Sequence, residues 1–386
     1  MNILFFASDN DRASGAFLSM TRLAECLKND FGHMVYVVLP RDGNGQELLK
    51  NLQIPFYNIR SYNWIIKQSE GSSIVKRTEL FGKMQLNNIA IIKCCKLIKE
   101  KEIDFIHINT TWAYIGAEIA KRCSIPYVWH IREFLEEDQK VQFFNKKYAY
   151  SLLNGASKIV CISNSIYNKY SSVLDKSIMT TVYNGVESQK LKGRSIPPFQ
   201  KKDLTFLIVG TISESKGQIE LIKACALKKS MLGNFKLLIL GKGREEYISS
   251  IQKYIKENGL QDNIVFCGFK PNTEDYYKQA DITFVCSKAE AFGRVTVEAM
   301  MAGALVIGAD TAATRELIVN KKNGLLYKSG SSEDLAEVIE WAIQHKSDAV
   351  AMSRYGQDYM TSNMTAYNNA KKIDEIYRVI FSGSMT

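Results

Sequence analysis

The most constraining feature of the sequence is a regular alternation between short apolar runs and segments long enough to form helices. Runs of four to seven apolar residues, rich in β-branched and aromatic side chains, recur along most of the chain. Such runs are typical of strands buried on both faces of a parallel sheet, and parallel strands need long crossover connections. The sequence therefore predicts an α/β fold. We predict strands at residues 2–7, 34–39, 55–59, 104–108, 126–130, 158–163, 178–183, 204–210, 235–241, 263–268, 281–287 and 304–309.

A polar segment interrupts this alternation near the middle of the chain. Residues 188–203, SQKLKGRSIPPFQKKD, hold two of the six prolines and have no hydrophobic period. Because 386 residues also exceed one ordinary core, we predict two doubly wound, Rossmann-like domains. Ligands of such sheets bind at the carboxyl ends of the strands, so we expect the domains to face each other across a cleft. The predicted boundaries are an N-terminal domain at 1–190, a linker at 191–203, a C-terminal domain at 204–362 and a helix of unknown placement at 363–386.

Composition indicates a soluble globular protein, with 46% hydrophobic and 23% charged residues. The eight cysteines are scattered without a C-x-x-C pair, which favours reduced thiols in the cytoplasm. The N-terminus, MNILFFASDN, lacks the basic region of a signal peptide. No segment approaches the roughly 18–20 apolar residues that would span a bilayer. We therefore expect a cytoplasmic protein.

The net charge of +10 is concentrated in residues 60–101, where nine Lys or Arg stand against three Glu. Trp64, Ile65, Ile66 and Phe81 lie among these basic residues. This composition fits either a solvated helix face or a surface that rests on anionic lipid at the inner face of a membrane. No nucleic-acid-binding module accompanies the charge, so nucleic acid is not an expected partner.

Residues 290–298, EAFGRVTVE, follow a predicted strand and enter a predicted helix near Gly293. Such a junction offers free backbone N–H groups and the positive end of a helix dipole, which suit phosphate. Glu298, on the first turns of the helix, can accept hydrogen bonds from both ribose hydroxyls, and Glu290, on the loop, can hold sugar hydroxyls. The spacing therefore matches a nucleotide-sugar, although Glu298 taken alone would be an ordinary helix glutamate.

A second glycine-containing turn follows the strand predicted at 204–210. The sequence LIVGTISESKGQIELIKA runs from an apolar strand through Gly210 to Lys216, where an amphipathic helix is predicted to begin. A lysine at that position can reach phosphates as a point charge, while Ser213 and Ser215 can cap the helix. A solvated lysine is the alternative interpretation.

Together these stretches resemble the family-4 glycosyltransferases of the group 1 type, which are retaining enzymes with the GT-B fold. The resemblance rests on GTISESKG, EAFGRVTVEAM, AGALVIGADTAATRELI, VYNGVE and PYVWHIREF. It implies transfer of a sugar from a nucleotide-diphosphate sugar to a hydroxyl of a glycan or lipid-linked glycan acceptor. A UDP-sugar is the favoured donor, and surface polysaccharide biosynthesis is the favoured setting.

The resemblance also implies a role for each matching residue. Glu298 would bind the ribose, Lys216 the diphosphate and Glu290 the transferred sugar. His130 would contact the sugar or assist catalysis, so His130 and Glu290 are the predicted catalytic residues. The predicted donor-binding residues are Gly15, Gly210, Thr211, Lys216, Ala291, Phe292, Gly293, Arg294, Val295 and Glu298.

The sequence departs from the family pattern at three places near these residues. The loop that contains Gly15 has a single glycine where many relatives have two. Thr211 stands where many relatives carry an arginine, and Arg294 is the candidate substitute for that phosphate contact. Ile131 stands where an acidic residue often follows the histidine. His107 also ends a predicted strand, and either a structural role or a place near the cleft fits it.

No cofactor or essential metal is expected, because helix N-termini and cationic side chains would carry the diphosphate charge. Asp9-Asn10-Asp11 spells a D-x-D, the metal motif of a different glycosyltransferase fold, and is interpreted here as a polar loop. Two alternatives to a retaining transferase remain open. One is another GT-B enzyme, such as a nucleotide-sugar epimerase or an inverting transferase, and the other is a non-catalytic nucleotide-sugar-binding protein.

Overall fold

The computed structural model describes residues 1–383, which divide into two units, each built around a parallel β-sheet. Unit 1 contains Met1–Gly185 and residues 366–383, and unit 2 contains Val186–Thr365. The sequence placed a linker at 191–203, whereas these residues pack within unit 2. Phe199 is buried, its backbone N–H donates to Asp281 at 2.7 Å, and Arg194 donates to the carbonyl of Ala280 at 2.8 Å.

The strands of unit 1 form one large sheet and one small one. They are β1 (Asn2–Phe6), β2 (Met34–Leu39), β3 (Phe56–Asn58), β4 (Ile65–Lys67), β5 (Phe105–Asn109), β6 (Tyr127–Ile131), β7 (Val141–Phe143), β8 (Lys158–Cys161) and β9 (Met179–Thr181). The large sheet is parallel, in the order β3-β2-β1-β5-β6-β8-β9, and β4 pairs with β7 in antiparallel fashion. The strand order reverses between β1 and β5, so the sheet is doubly wound.

Helices connect the strands of the large sheet. They are α1 (Gly15–Asn29), α2 (Gln46–Asn51), α3 (Ile74–Gln85), α4 (Asn87–Glu100), α5 (Ile115–Cys123), α6 (Lys146–Asn154) and α7 (Asn164–Tyr170). Helix α1 illustrates why they form: Ser14 caps its first turn by accepting from the N–H of Phe17. Phe17, Met20, Leu23 and Leu27 follow at helical spacing and are buried. The apolar face of α1 therefore covers the sheet.

Unit 2 contains a second parallel sheet. Its strands are β10 (Leu204–Val209), β11 (Phe235–Leu240), β12 (Ile264–Gly268), β13 (Ile282–Val285), β14 (Leu305–Ala309) and β15 (Leu325–Tyr327). Their order is β12-β11-β10-β13-β14-β15, and every pairing is parallel. Phe206 on the central strand β10 packs against Phe235 and Phe284, with ring centroids 5.5 and 5.3 Å apart. Burying one such ring contributes about 1.5–3 kcal/mol, so these three rings anchor the middle of the sheet.

Eight helices of unit 2 cover this sheet or follow it, among the residues that the structure describes. They are α8 (Gln218–Leu227), α9 (Lys229–Leu232), α10 (Glu245–Glu257), α11 (Glu274–Gln279), α12 (Arg294–Met301), α13 (Ala312–Leu317), α14 (Ser332–Gln344) and α15 (Lys346–Asn363). Helix α8 packs against α14, and α12 packs against α15.

The last helix, α16 (Ala366–Gly383), returns to unit 1 and packs along α1. Ala370, Ile373 and Tyr377 are fully buried on one face of α16. His33 fixes the helix further, with its Nε2 2.6 Å from a carboxylate oxygen of Asp374. This contact and the buried face give the C-terminal helix the place that the sequence left unknown.

The structure confirms the predicted fold class, two Rossmann-like parallel-sheet domains in an α/β chain. All twelve predicted strands are present, with ends within two residues of the prediction. The strands β4, β7 and β15, each three residues long, were not predicted. Among residues 1–383, no helix is both long and apolar enough to cross a membrane.

Candidate active site

In unit 2, the two predicted donor-site loops follow neighbouring strands of the sheet. Strands β10 and β13 pair directly, and the strand order reverses between them. Residues 210–217 lead from β10 to α8, and residues 286–293 lead from β13 to α12. The N–H of Lys288 donates to the carbonyl of Ser215 at 2.9 Å and joins the two loops. They therefore lie side by side at the switch point, where ligands of doubly wound sheets bind.

Two glycines allow the loops to approach this closely. Gly217 has a φ of +69°, and a Cβ added there would lie 2.4 Å from the carbonyl oxygen of Cys286. Gly293 has a φ of +86° and stands at the N-cap of α12. Since L side chains rarely adopt this left-handed conformation, both turns favour glycine.

Lys216 and Glu290, one from each loop, form an ion pair. The Nζ of Lys216 donates to a carboxylate oxygen of Glu290 at 3.0 Å, and the two side chains are 24% and 22% exposed. The backbone of Glu290 is also held in place, because its carbonyl oxygen accepts a hydrogen bond from the N–H of Ala313 at 3.1 Å. The structure therefore brings these two predicted residues together in a position that a ligand can reach.

Glu298, on α12, is held by a cation and a hydroxyl group. Arg294 donates from Nε to one carboxylate oxygen at 2.7 Å, and Tyr277 donates from its hydroxyl to the other at 3.0 Å. Tyr277 is fully buried, and burial, reinforced by the charge of Glu298, raises the pKa of its hydroxyl well above the usual value. Tyr277 therefore remains protonated and donates. No motif marked Tyr277, which stands twenty-one residues before Glu298.

The predicted caps of α8 are wrong. The helix begins at Gln218 with Gly217 at the N-cap, so Ser213 and Ser215 lie too far before it, and their hydroxyls contact each other at 3.1 Å. Instead, the side chain of Gln218 accepts from the N–H of Ser213 and donates to the carbonyl of Thr211 at 3.0 Å. The side chain of the buried Gln218 thus stabilises the turn that carries Lys216.

The remaining predicted donor residues of unit 2 line the same two loops. Gly210 has a φ of +144° at the end of β10, and Thr211 is exposed beside it. Phe292 is buried, whereas Ala291 and Val295 are half-buried. Another hydroxyl was not anticipated: Thr296, on the first turn of α12, is fully buried, and its Oγ has no hydrogen-bond partner among residues 1–383.

In unit 1, His130 lies at the centre of a buried polar cluster. It is fully buried on β6, and its Nδ1 lies 3.2 Å from Nε2 of His107 and 3.1 Å from Nη2 of Arg132. Burial, together with the charge of Arg132, lowers the pKa of both histidines well below the usual value. His130 is therefore neutral at neutral pH. Its Nε2 has no hydrogen-bond partner among residues 1–383.

Arg132, two residues after His130, organises this cluster. Its guanidinium donates to the side-chain oxygens of Asn109, at 2.5 Å, and Asn184. Burial lowers the pKa of Arg132 to about 9, an effect that the neighbouring Glu133 opposes. Arg132 therefore remains a cation at neutral pH and places a positive charge beside His130.

Gly15, the predicted donor-binding glycine of unit 1, is the first residue of α1. Asn109, which holds Arg132, also donates to the carbonyl of Ala16 at 3.3 Å and so connects this turn to the cluster around His130. In the loop before it, Asp9 accepts hydrogen bonds from the hydroxyl of Ser14 and the N–H of Asp11. Burial raises the pKa of Asp9.

The basic segment 60–101 divides into a buried part and an exposed part. Trp64, Ile65 and Ile66 are buried, and Trp64 stacks on Tyr114 with ring centroids 4.6 Å apart. The expectation that these three side chains lie on a surface is therefore wrong, because they fill the core beside β6. In contrast, α3 buries none of its residues. The exposed apolar side chains of α3, of α4 and of the residue between them are Ile74, Val75, Phe81, Leu86, Ile89 and Ile92.

Comparison with known proteins gives matches along most of the chain. The family described as Glycosyltransferase Family 4 matches residues 13–190, and the family described as Glycosyl transferases group 1 matches residues 189–359. An uncharacterized glycosyltransferase of Methanocaldococcus jannaschii is 28% identical over 272 residues, which cover 68% of this chain and 72% of that protein.

Two further proteins are more distantly similar. The N-acetylgalactosamine-N,N'-diacetylbacillosaminyl-diphospho-undecaprenol 4-alpha-N-acetylgalactosaminyltransferase of Campylobacter jejuni is 25% identical over 166 residues, 42% of this chain and 44% of that protein. The crystal structure of Anabaena HepE in complex with UDP and glucose is similar in fold, with a TM-score of 0.79 and 21% identity over 98% of this chain and all of that one. Because the two family matches together cover residues 13–359, the chain belongs to the glycosyltransferases of the group 1, family 4 type.

Proposed function

We propose that this glycosyltransferase is a retaining enzyme that moves a sugar from a nucleotide-diphosphate sugar to a hydroxyl of a glycan or lipid-linked glycan. The observation that carries the proposal is that Lys216 and Glu290 pair across two neighbouring loops at one sheet edge, with Glu298 on the helix that follows the second loop. A UDP-sugar is the favoured donor, and the complex of Anabaena HepE with UDP and glucose supports that choice.

In this proposal the donor lies along the two loops of unit 2. Glu298 binds the ribose hydroxyls, and Arg294 and Tyr277 hold its carboxylate in place for them. Lys216 binds the diphosphate, and the N-terminus of α12 adds its backbone N–H groups. Glu290, which forms an ion pair with Lys216, holds the hydroxyls of the transferred sugar.

The chemical step follows from these positions. The bond between the anomeric carbon and the diphosphate breaks, and Lys216 and the loop amides stabilise the departing negative charge. The acceptor hydroxyl forms its bond to the same face of the anomeric carbon, and its proton passes to the departing phosphate. His130 would contact the sugar. We propose that no metal is needed, because Lys216 and the N-terminus of α12 neutralise the diphosphate, while Arg294 is paired with Glu298.

Thermal stability in the presence of nucleotides tests the donor site. Ligand at about 100 times its dissociation constant adds about 2.7 kcal/mol to the free energy of unfolding. We expect a rise in melting temperature that is selective for one nucleotide among UDP, GDP and ADP and is the same with magnesium and with EDTA. If no nucleotide raises the melting temperature, the proposed donor site is wrong.

Substitution of the ion pair tests the chemistry. Lys216→Ala and Glu290→Ala should each abolish most transfer and leave the fold intact, because a pair that is about a quarter exposed contributes little to stability. Lys288→Ala, an exposed lysine on the same loop as Glu290, is the matched control and should transfer normally. Near wild-type turnover in either variant would remove that residue from the mechanism. Nucleotide binding without any transfer by the wild-type protein would instead favour a non-catalytic binding protein.

We also propose that α3 and α4 rest on an anionic membrane, where a lipid-linked acceptor would lie. This rests on charge complementarity: exposed apolar side chains such as Ile74, 80% exposed, and Ile92, 62% exposed, lie among the lysines of the same helices. An acceptor carried on diphospho-undecaprenol, as the name of the Campylobacter jejuni relative describes, would suit such a surface. The inner face of a membrane and surface polysaccharide biosynthesis are the corresponding location and setting.

Vesicle binding tests this surface. Lys83 on α3 and Lys93 on α4 are suitable for substitution by glutamine, whereas Arg77 is unsuitable because it also donates to the carbonyl of Phe144 at 3.1 Å. The double variant, and separately Val75→Ser, should bind phosphatidylglycerol vesicles less tightly than the wild type. Val379→Ser, which changes an equally exposed valine on α16, is the control. Unchanged vesicle binding in both variants would refute the proposed surface.

A further inference from the structure

A continuous line of buried side chains runs from the C-terminal helix to His130. The hydroxyl oxygen of Tyr377 lies 2.5 Å from Nδ1 of His107, and Nε2 of His107 lies 3.2 Å from Nδ1 of His130. Nη2 of Arg132 approaches the same Nδ1 of His130 at 3.1 Å. Tyr377, His107 and His130 are fully buried, and Arg132 is 6% exposed.

Without Arg132 the line could carry its hydrogen bonds in either direction. A tyrosine hydroxyl donates or accepts, and a neutral imidazole has one nitrogen of each kind. Arg132 removes this freedom, because a guanidinium has only donors. Nδ1 of His130 must therefore accept, so Nε2 of His107 must donate to it. In turn Nδ1 of His107 accepts from the hydroxyl of Tyr377.

The protonation of the cluster agrees with this direction. Burial raises the pKa of the Tyr377 hydroxyl well above its usual value, so the hydroxyl keeps its proton. Burial and the charge of Arg132 lower the pKa of both histidines, so each carries one proton at neutral pH. In His130 that proton lies on Nε2, the buried atom that has no partner among residues 1–383.

We propose that Arg132 is a positioning residue that fixes the proton of His130 on Nε2, so that His130 meets the donor substrate as a neutral hydrogen-bond donor and not as a base. This inference rests on the proposed function, in which His130 contacts the donor sugar. It assigns the unpartnered Nε2 a ligand oxygen as its acceptor, and it gives the position of Arg132, two residues after the histidine, a chemical reason.

The tautomer is directly measurable because the chain has only four histidines. Long-range 15N–1H spectra of protein labelled in histidine distinguish a protonated ring nitrogen from an unprotonated one, and His107→Gln and His130→Gln proteins assign the signals. We expect the wild-type protein to show Nε2 protonated and Nδ1 unprotonated in both His107 and His130. A proton on Nδ1 of His130, or on both nitrogens at neutral pH, would overturn the inference whatever the activity.

Two substitutions of Arg132 then separate its directional role from a structural one. Arg132→Gln can donate or accept, so His130 should become a mixture of tautomers, and kcat/KM should fall by about five- to tenfold, the loss of roughly one hydrogen bond. Arg132→Lys keeps a charged donor and should restore the single tautomer and most of the activity. If Arg132→Gln leaves the tautomer of His130 unchanged, Arg132 does not set it.

The spectra test the tautomer of His130 and the transfer assays test the proposed function, so either idea can be refuted without the other. If the wild-type tautomer is as expected but no nucleotide-sugar supports transfer, the proposed function is wrong and the tautomer assignment stands. If transfer occurs and His130 carries its proton on Nδ1, only the present inference is wrong. Should Arg132→Gln not fold, the wild-type spectrum alone decides the tautomer.

Discussion

Removal of one hydroxyl, in Tyr277→Phe, should destabilise unit 2 and loosen the carboxylate of Glu298. The phenylalanine ring fills the same buried space, so the change is confined to the hydrogen bond of 3.0 Å between the hydroxyl and Glu298. Arg294 continues to hold the other carboxylate oxygen at 2.7 Å. The variant therefore isolates the contribution of a single contact to the geometry of a proposed ribose-binding group.

The size of the effect follows from burial. A hydrogen bond to a charged group contributes about 1.5–3 kcal/mol. The side chain of Glu298 is 15% exposed, so water can partly replace the lost donor, and the lower end of that range applies. For a domain of about 150–250 residues, a loss of 1 kcal/mol lowers the melting temperature by about 2–4 °C. We therefore expect a decrease of about 3–6 °C for a loss of about 1.5 kcal/mol.

Calorimetry and UDP titration check this prediction against Tyr276→Phe. That control alters the neighbouring tyrosine of α11, which is only half-buried. We expect the control to melt like the wild type, and Tyr277→Phe also to bind UDP about fivefold more weakly, because the ribose meets a less ordered carboxylate. If the two variants melt at the same temperature, the hydrogen bond contributes nothing. If only UDP binding is unchanged, Glu298 does not bind the ribose.

Three further predictions concern backbone strain, pH and metal. Gly217→Ala should lower the melting temperature, measured by calorimetry, and the nucleotide affinity, measured by titration, more than Gly193→Ala does. Both glycines have a positive φ (+69° and +82°), but only at Gly217 would an added Cβ clash with the backbone, 2.4 Å from a carbonyl oxygen. Burial lowers the pKa of His33, His107 and His130 below their value near 6.5 in the unfolded chain, so the unfolded state binds more protons in acid. The free energy of unfolding should therefore fall by up to about 1.4 kcal/mol per pH unit and histidine as pH drops below about 6.5. The melting temperature should fall with it, less steeply in His33→Gln, and a melting temperature that stays constant between pH 7.5 and 5.5 would contradict this. Finally, transfer rates should be equal with EDTA and with magnesium, and loss of turnover in EDTA that magnesium restores would show that the diphosphate needs a metal.

The sequence was sufficient to predict the sheets because their strands are buried on both faces. Residues such as Phe206 and Phe284 lie inside apolar runs whose length alone indicates a central parallel strand. The strands β4, β7 and β15 escaped prediction because a three-residue strand contains too few residues for a period to appear. Trp64 was misplaced for a related reason: basic neighbours in the sequence suggested a surface, whereas the chain turns the indole into the core.

The candidate site was predictable only for residues that a local pattern connects. Lys216, Glu290 and Glu298 stand at the ends of strands and the starts of helices, so spacing alone predicted their edge of the sheet. Tyr277 and Tyr377 reach Glu298 and His107 from other elements, twenty-one and 270 positions away, and no local period marks them. Both tyrosines orient a neighbouring group. Tyr277 holds the carboxylate of Glu298, and Tyr377 donates to His107 in the hydrogen-bond direction that Arg132 sets. A motif therefore predicts the groups that would touch a ligand, whereas the groups that fix their geometry become visible only when the chain is folded.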